Sequence, residues 1–154
     1  MRAKYDLHRQ MKNVDGTVLW YAKAAVDDTG RYGTMLRNHY WKDPALQPLM
    51  PFIDDKAPKA PRSVKPLWTP DGYVLFWSAP KAKQWGDEAH QYVVYQFAKG
   101  DKVDLNDASK IVAITRQPWY RLPYAGGKQK YTYVVTALDR MSNESKGKKK
   151  SVRL

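Results

Sequence analysis

The chain of 154 residues has no cysteine, three histidines and no long apolar run. Without cysteine, neither a disulfide framework nor a thiolate metal site is available. That leaves the compartment open, since many exported proteins also do without disulfides. His8, His39 and His90 are far apart and show no paired ligand spacing, which argues against a metal centre. No stretch of 18 apolar residues occurs, so no membrane-spanning helix is expected. Residues 1–15 are mixed and charged and lack the apolar core of a signal peptide; an exported protein would need a signal not present here. Gly126-Gly127 lacks the Lys-Ser/Thr that completes a phosphate loop, and no serine sits in a nucleophile-elbow motif. No cofactor signature is found, and no Arg-Gly-Asp tripeptide.

Positive charge and aromatic rings are abundant. The formal net charge is +12, split into +3 over residues 1–61 and +9 over residues 62–154. Its densest run is Lys146, Lys148, Lys149, Lys150 and Arg153. Such a run is more often a solvated edge strand or frayed tail than a nucleic-acid site. With Lys128 and Lys130 it could still serve a basic module for polyanionic glycans or nucleic acid, whose binding would weaken steeply with salt. Hydrophobic residues make up 43% of the chain, enough for a core.

Six prolines between Asp43 and Pro66 divide the chain. Proline at that density forbids helix and central strand. Residues 56–61 read as a linker, residues 1–55 as a helix–strand–helix segment, and residues 62–154 as all β. In the first segment Leu7 and Met11 share the helical spacing of Asp6–Lys12. Thr17–Tyr21 (TVLWY) has the continuous apolar character of a strand buried on both faces. Asp27 and Asp28 are explained as helix-start residues before a second helix over Tyr32–Trp41. After the linker, seven short strands are expected: 64–68, 73–77, 91–98, 111–115, 119–124, 130–138 and 150–153. The run YTYVVTALDRMSNES (131–145) has a strand's period of two and closes in a polar turn. The fold class is therefore mainly β, an immunoglobulin-like sandwich preceded by the helix–strand–helix segment.

Two family resemblances follow from these motifs. Residues 62–154 resemble a fibronectin type III domain through Leu75-x-Trp77 with Pro80, Tyr92-x-Val94, and Tyr131-x-Tyr133-x-Val135-x-Ala137. The ALDRMSNES ending resembles the bacterial version, with Ser142 where the family usually has glycine. The resemblance makes Trp77 the core tryptophan and Tyr131 the tyrosine of the tyrosine corner. Residues 6–61 resemble the end of family-10-like glycoside hydrolases of bacterial cell envelopes, through GTVLWYAKA and HYWKDPALQPLMPFID. In that family the run is the last strand and helix of a (β/α)8 barrel, and a fibronectin-like domain often follows. The resemblance implies a fragment of a secreted or envelope-attached enzyme with most of its barrel elsewhere.

Glycosidases need two carboxylates about 5 to 9.5 Å apart. The one candidate barrel strand carries no acid, so the fragment itself is expected to be non-catalytic. Trp20 and Tyr21, near that strand's end, and Trp85, Trp119, Tyr120 and Tyr124, in loop or edge contexts, are candidates for stacking on sugar. For each, packing in a core or against the barrel is the competing explanation. The expected partners are the protein's own catalytic barrel and polysaccharide, with self-association of the fragment through exposed aromatic surface.

Overall fold

A computed structural model describes residues 2–14, 16–82 and 86–154. The chain divides into two units, Met1–Asp43 and Pro44–Leu154.

The first unit is helical. It contains α1 (Arg2–Gln10), the single turn α2 (Lys23–Val26), a 3₁₀ turn over Thr29–Arg31 and α3 (Tyr32–His39). Its buried core is Tyr5, Ala25 and Leu36. Gly33 lets α3 meet α2: a Cβ there would lie 2.2 Å from the Ala25 carbonyl oxygen. Asp28 anchors the start of α3, accepting from the Thr34 backbone N–H and from its hydroxyl, both at 2.6 Å. Asp27 pairs with Lys23 one turn earlier. Helix α1 buries Tyr5, whereas Leu7 and Met11, the face expected to be covered, are 56% and 48% exposed. Burial and a hydroxyl–hydroxyl bond of 2.7 Å to Tyr32 push the Tyr5 phenol up to about 12.

The strand expected over Thr17–Tyr21 does not form. A strand buried on both faces needs neighbours on both edges, and no other strand is present among the described residues of this unit. Val18 and Trp20 are instead over 90% exposed.

The second unit is a β-sandwich. Its strands are β1 (Arg62–Thr69), β2 (Gly72–Ser78), β3 (Gln91–Ala98), β4 (Ile111–Thr115), β5 (Trp119–Arg121), β6 (Lys130–Leu138) and β7 (Lys148–Arg153). They form two antiparallel sheets, ordered β1-β2-β5 and β4-β3-β6-β7. Leu75, Trp77 and Val64 from the first sheet meet Tyr92, Val94, Tyr133 and Val135 from the second to make the core. This is the immunoglobulin-like arrangement that the alternation predicts.

The four-stranded sheet is covered on its outer side too. Val93, Tyr95, Phe97, Ile111, Val134 and Leu138 form a second cluster, packed by Leu46, Val103, Leu105 and Ala108. That explains why QYVVYQFA is apolar in both phases. The segment before β1 packs as well: Pro58 and Pro61 are buried, and the Asp54 carbonyl accepts from Asn143 Nδ2 at 3.1 Å. The compact second unit takes in residues from Pro44 onward.

The polar turn after β6 is a hydrogen-bonded scaffold. Asp139 is buried; its Oδ1 accepts from the backbone N–H groups of Met141 (2.8 Å) and Asn143 (2.9 Å), and its Oδ2 from Asn143 Nδ2 (2.9 Å). Glu144 Oε1 accepts from the Tyr95 hydroxyl (2.8 Å) and from Thr136 Oγ1 (2.6 Å). Ser145 extends the ladder by receiving the Ala137 N–H at 2.9 Å. Ser142 occupies the left-handed region at φ +65°, the conformation the resemblance associates with glycine.

Candidate functional site

The turn between β1 and β2 sets Thr69 opposite Gly72 and Trp68 opposite Tyr73. Residues directly opposite in an antiparallel pair bring their side chains together. The Trp68 and Tyr73 rings stack, with centroids 4.8 Å apart and planes 24° apart. The chain leaves β5 through buried Leu122, whose N–H donates to the Tyr73 carbonyl at 2.9 Å. Tyr124 then folds back edge-on to both rings, 4.9 Å from Trp68 and 5.7 Å from Tyr73. Gly127 makes room for it: its φ is +72°, and a Cβ would sit 3.3 Å from the Tyr124 hydroxyl. The trio is held in place yet open, with Trp68 63% and Tyr124 46% exposed.

Of these three rings the sequence reading names only Tyr124. Trp68 and Tyr73 are missed, although counting one residue outward on each side of the Thr69–Gly72 turn pairs them. The other aromatic candidates do not join the trio. Tyr120 lies opposite Leu75 and is half-buried against Tyr133 at 6.2 Å, so it is a core residue; burial raises its phenol. Trp119 lies opposite Phe76, on the other face of β5, and is 42% exposed. Trp20 and Tyr21 are exposed and stand on no strand. Trp85 lies outside the described residues.

Trp77 is buried in the sandwich core, edge-on to Tyr92 at 5.4 Å. Tyr131 departs from its expected role. It is half-buried, and its hydroxyl donates to the neighbouring Gln129 side chain at the surface. The hydroxyl tied into the polar turn belongs to Tyr95 on β3, and burial, then its bond to Glu144, raises that phenol strongly. Tyr133 is fully buried and its hydroxyl has no partner among the described residues.

The basic run forms no single patch. Lys148, Lys150 and Val152 share one face of β7, and Lys149, Ser151 and Arg153 the other, because side chains alternate along a strand; Lys146 precedes the strand. β7 is a sheet edge, where lysine discourages pairing with another chain.

A cleft of about 570 Å³ is lined by Ile53, Asp54, Glu88, His90, Asp139 and Arg140, among others. Three of its acids, Asp54, Glu88 and Asp139, serve local turns. Asp139 is bound as described, Asp54 accepts from the Lys56 N–H (3.0 Å) and Glu88 from the Gly86 N–H (2.8 Å). A glycosidase's general acid needs a raised pKa. The carboxylates that are shifted lie outside this cleft and move the other way: Asp28 through the Thr34 hydroxyl, Asp101 through Lys110, and Asp107 through the Ser109 hydroxyl. Among the described residues no cluster of histidine and acid side chains could hold a metal ion, and no helix is long and apolar enough to cross a membrane.

No family model matches the chain. It is similar to glycosyl hydrolase YngK of Bacillus subtilis (strain 168), with 30% identity over 147 residues, which is 96% of this chain. The chain spans only 28% of that relative's length. Among solved structures, FN3tt mut matches 62% of this chain and 94% of its own at 21% identity and a TM-score of 0.43. Titin kinase and its flanking domains match 62% of this chain and 17% of their own, at 23% identity and a TM-score of 0.44.

Proposed function

We propose that this chain is the non-catalytic accessory part of a larger glycoside-hydrolase-type protein, secreted or held at the cell envelope. Residues 2–43 belong to the end of its (β/α)8 barrel, and the sandwich braces or spaces that barrel. The observation that carries this reading is the inverted burial of the first unit. Leu7, Met11, Val18, Trp20, Tyr21, Val26 and Trp41 are each roughly half or more exposed, against three buried core residues. Burying a large apolar side chain is worth about 1.5–3 kcal/mol, so a helical unit that leaves seven outside has its main packing partner elsewhere. The 28% share of the hydrolase relative is consistent with a much longer parent.

Hydrogen exchange tests the reading. Amides of residues 2–43 should exchange fast in this chain alone and be strongly protected in the product isolated from its native source. Equal exchange in the two, or a native product no longer than this chain, would overturn it. The isolated chain should also release no sugar from glycoside substrates; turnover lost on replacing an acid of the 570 Å³ cleft would defeat the non-catalytic assignment.

A further inference from the structure

The geometry points to the Trp68–Tyr73–Tyr124 trio as a glycan-binding platform that takes a neutral pyranose ring against the exposed indole. Three observations carry it. First, the rings are fixed in advance. Trp68 rests on Tyr73 at 4.8 Å, and Tyr124 braces both edge-on. A ring already held gives up little freedom when a ligand arrives. Second, a fixed tryptophan that is 63% exposed leaves a broad apolar surface in water that nothing among the described residues of its unit covers. Third, the rim is polar. The Tyr124 hydroxyl sits beside Gly127, and the Arg121 guanidinium crosses Gly72, next to Tyr73.

Size separates a sugar from a protein partner. An aromatic side chain carries about 150–250 Å², so the exposed parts of Trp68 and Tyr124 together offer about 250 Å². A standard protein interface buries about 800 Å² on each partner. One pyranose, with C–H groups on one face and hydroxyls around its edge, fits both the area and the split between apolar centre and polar rim. The inference deepens the proposed function and rests on it for the ligand class.

Titration of the isotope-labelled chain with neutral β-1,4-linked hexasaccharides of glucose, xylose and N-acetylglucosamine, and with an acidic oligogalacturonate, tests the platform. At least one neutral hexasaccharide should shift the Trp68 indole N–H saturably, with a Kd of about 1 mM that does not change with salt. Trp68→Ala should weaken binding by more than about tenfold and Tyr124→Ala by about tenfold. Trp68→Phe, which keeps a ring, should bind measurably, and Trp119→Ala, on the other face of β5, should bind like the parent chain. No saturable shift up to about 10 mM in any arm, or binding that survives Trp68→Ala in a folded chain, would overturn the inference. So would binding confined to the acidic sugar and lost in salt. Failure here leaves the exchange test of residues 2–43 untouched, so the platform and the barrel assignment fail separately.

Discussion

The two units of this chain bury their apolar residues in different proportions. The sandwich buries a core on both sides of the four-stranded sheet, using Leu46, Val103, Leu105 and Ala108 to cover the outer face, and leaves a smaller share, such as Phe52, Ile53 and Trp68, exposed. The first unit keeps Tyr5, Ala25 and Leu36 inside and leaves about half of its large apolar side chains in water. Both stretches have regular local structure, so regularity does not mark self-sufficiency. What differs is whether the face that the sequence makes apolar finds a partner within the unit.

Cutting the chain breaks that comparison most sharply. Residues 44–154 should melt in one cooperative transition by circular dichroism, while residues 1–43 alone should lose their helical signal. A cut at 59/60 falls inside the 56–61 segment that reads as a linker. The structure adds a penalty to that cut. It removes the Leu46 packing, buried Pro58 and the Asp54–Asn143 bond, so 60–154 should be less stable than 44–154 by about 2 kcal/mol in urea.

Single core substitutions come next. Leu75 and Leu36 are both fully buried, one in each unit. Leu75→Ala should lower sandwich stability by about 3 kcal/mol through lost transfer energy and a cavity. Leu36→Ala should erase the first unit's helical signal and leave the sandwich midpoint unmoved. A shift of the sandwich midpoint with Leu36→Ala would mean the two units unfold as one.

Alkaline pH probes the same contrast through tyrosine. Burial raises the phenols of Tyr92, Tyr95, Tyr120 and Tyr133 in the sandwich, and Tyr5 in the first unit. Each stays protonated in the folded chain at a pH where the unfolded chain has released its proton. The unfolded state then binds fewer protons, so stability falls as pH rises. Their contribution should be complete below about pH 10, the ordinary phenol value, and decline above it. Tyrosinate absorbance should appear in two stages, exposed phenols first and the sandwich phenols only as it unfolds.

The strands of residues 62–154 were legible because their signals are local. Alternation sets the faces, and Asp71-Gly72 and Gly126-Gly127 mark turns. What was not legible depends on partners distant in sequence. TVLWY has the composition of a buried strand, but its unit supplies no sheet to bury it. The packing of Leu46 against the outer cluster of β3, β4 and β6 joins residues about fifty to ninety apart. Position in a resembled family assigned the structural hydroxyl to Tyr131, whereas the hydrogen bonds assign it to Tyr95. The aromatic platform was one-third legible: Tyr124 stood out as a loop aromatic, while Trp68 and Tyr73 looked like ordinary strand residues. Tyrosine-to-phenylalanine variants measure that reassignment. Tyr95→Phe should cost about 1.5–2 kcal/mol, the range for a bond to a carboxylate. Tyr131→Phe should cost less than about 0.5 kcal/mol, because its bond is exposed. Equal losses would restore Tyr131 to the role that the family resemblance implies.

The smallest expected effect lies at Ser142. A left-handed residue with a Cβ costs about 1–2 kcal/mol, and glycine returns about 0.5–1 kcal/mol of that as greater freedom in the unfolded chain. Ser142→Gly should therefore stabilise the sandwich by about 0.5–1 kcal/mol in chemical denaturation. The Asp139 carboxylate already fixes the turn through the Met141 and Asn143 N–H groups, so the turn itself should not change. Arg31 in the first unit has nearly the same backbone, φ +62° against +65°. Arg31→Gly removes the same kind of strain, but from a unit that leaves about half of its large apolar side chains exposed. It should leave the sandwich transition where it was. A gain from Arg31→Gly equal to that from Ser142→Gly would show that the first unit shares the sandwich's cooperative transition.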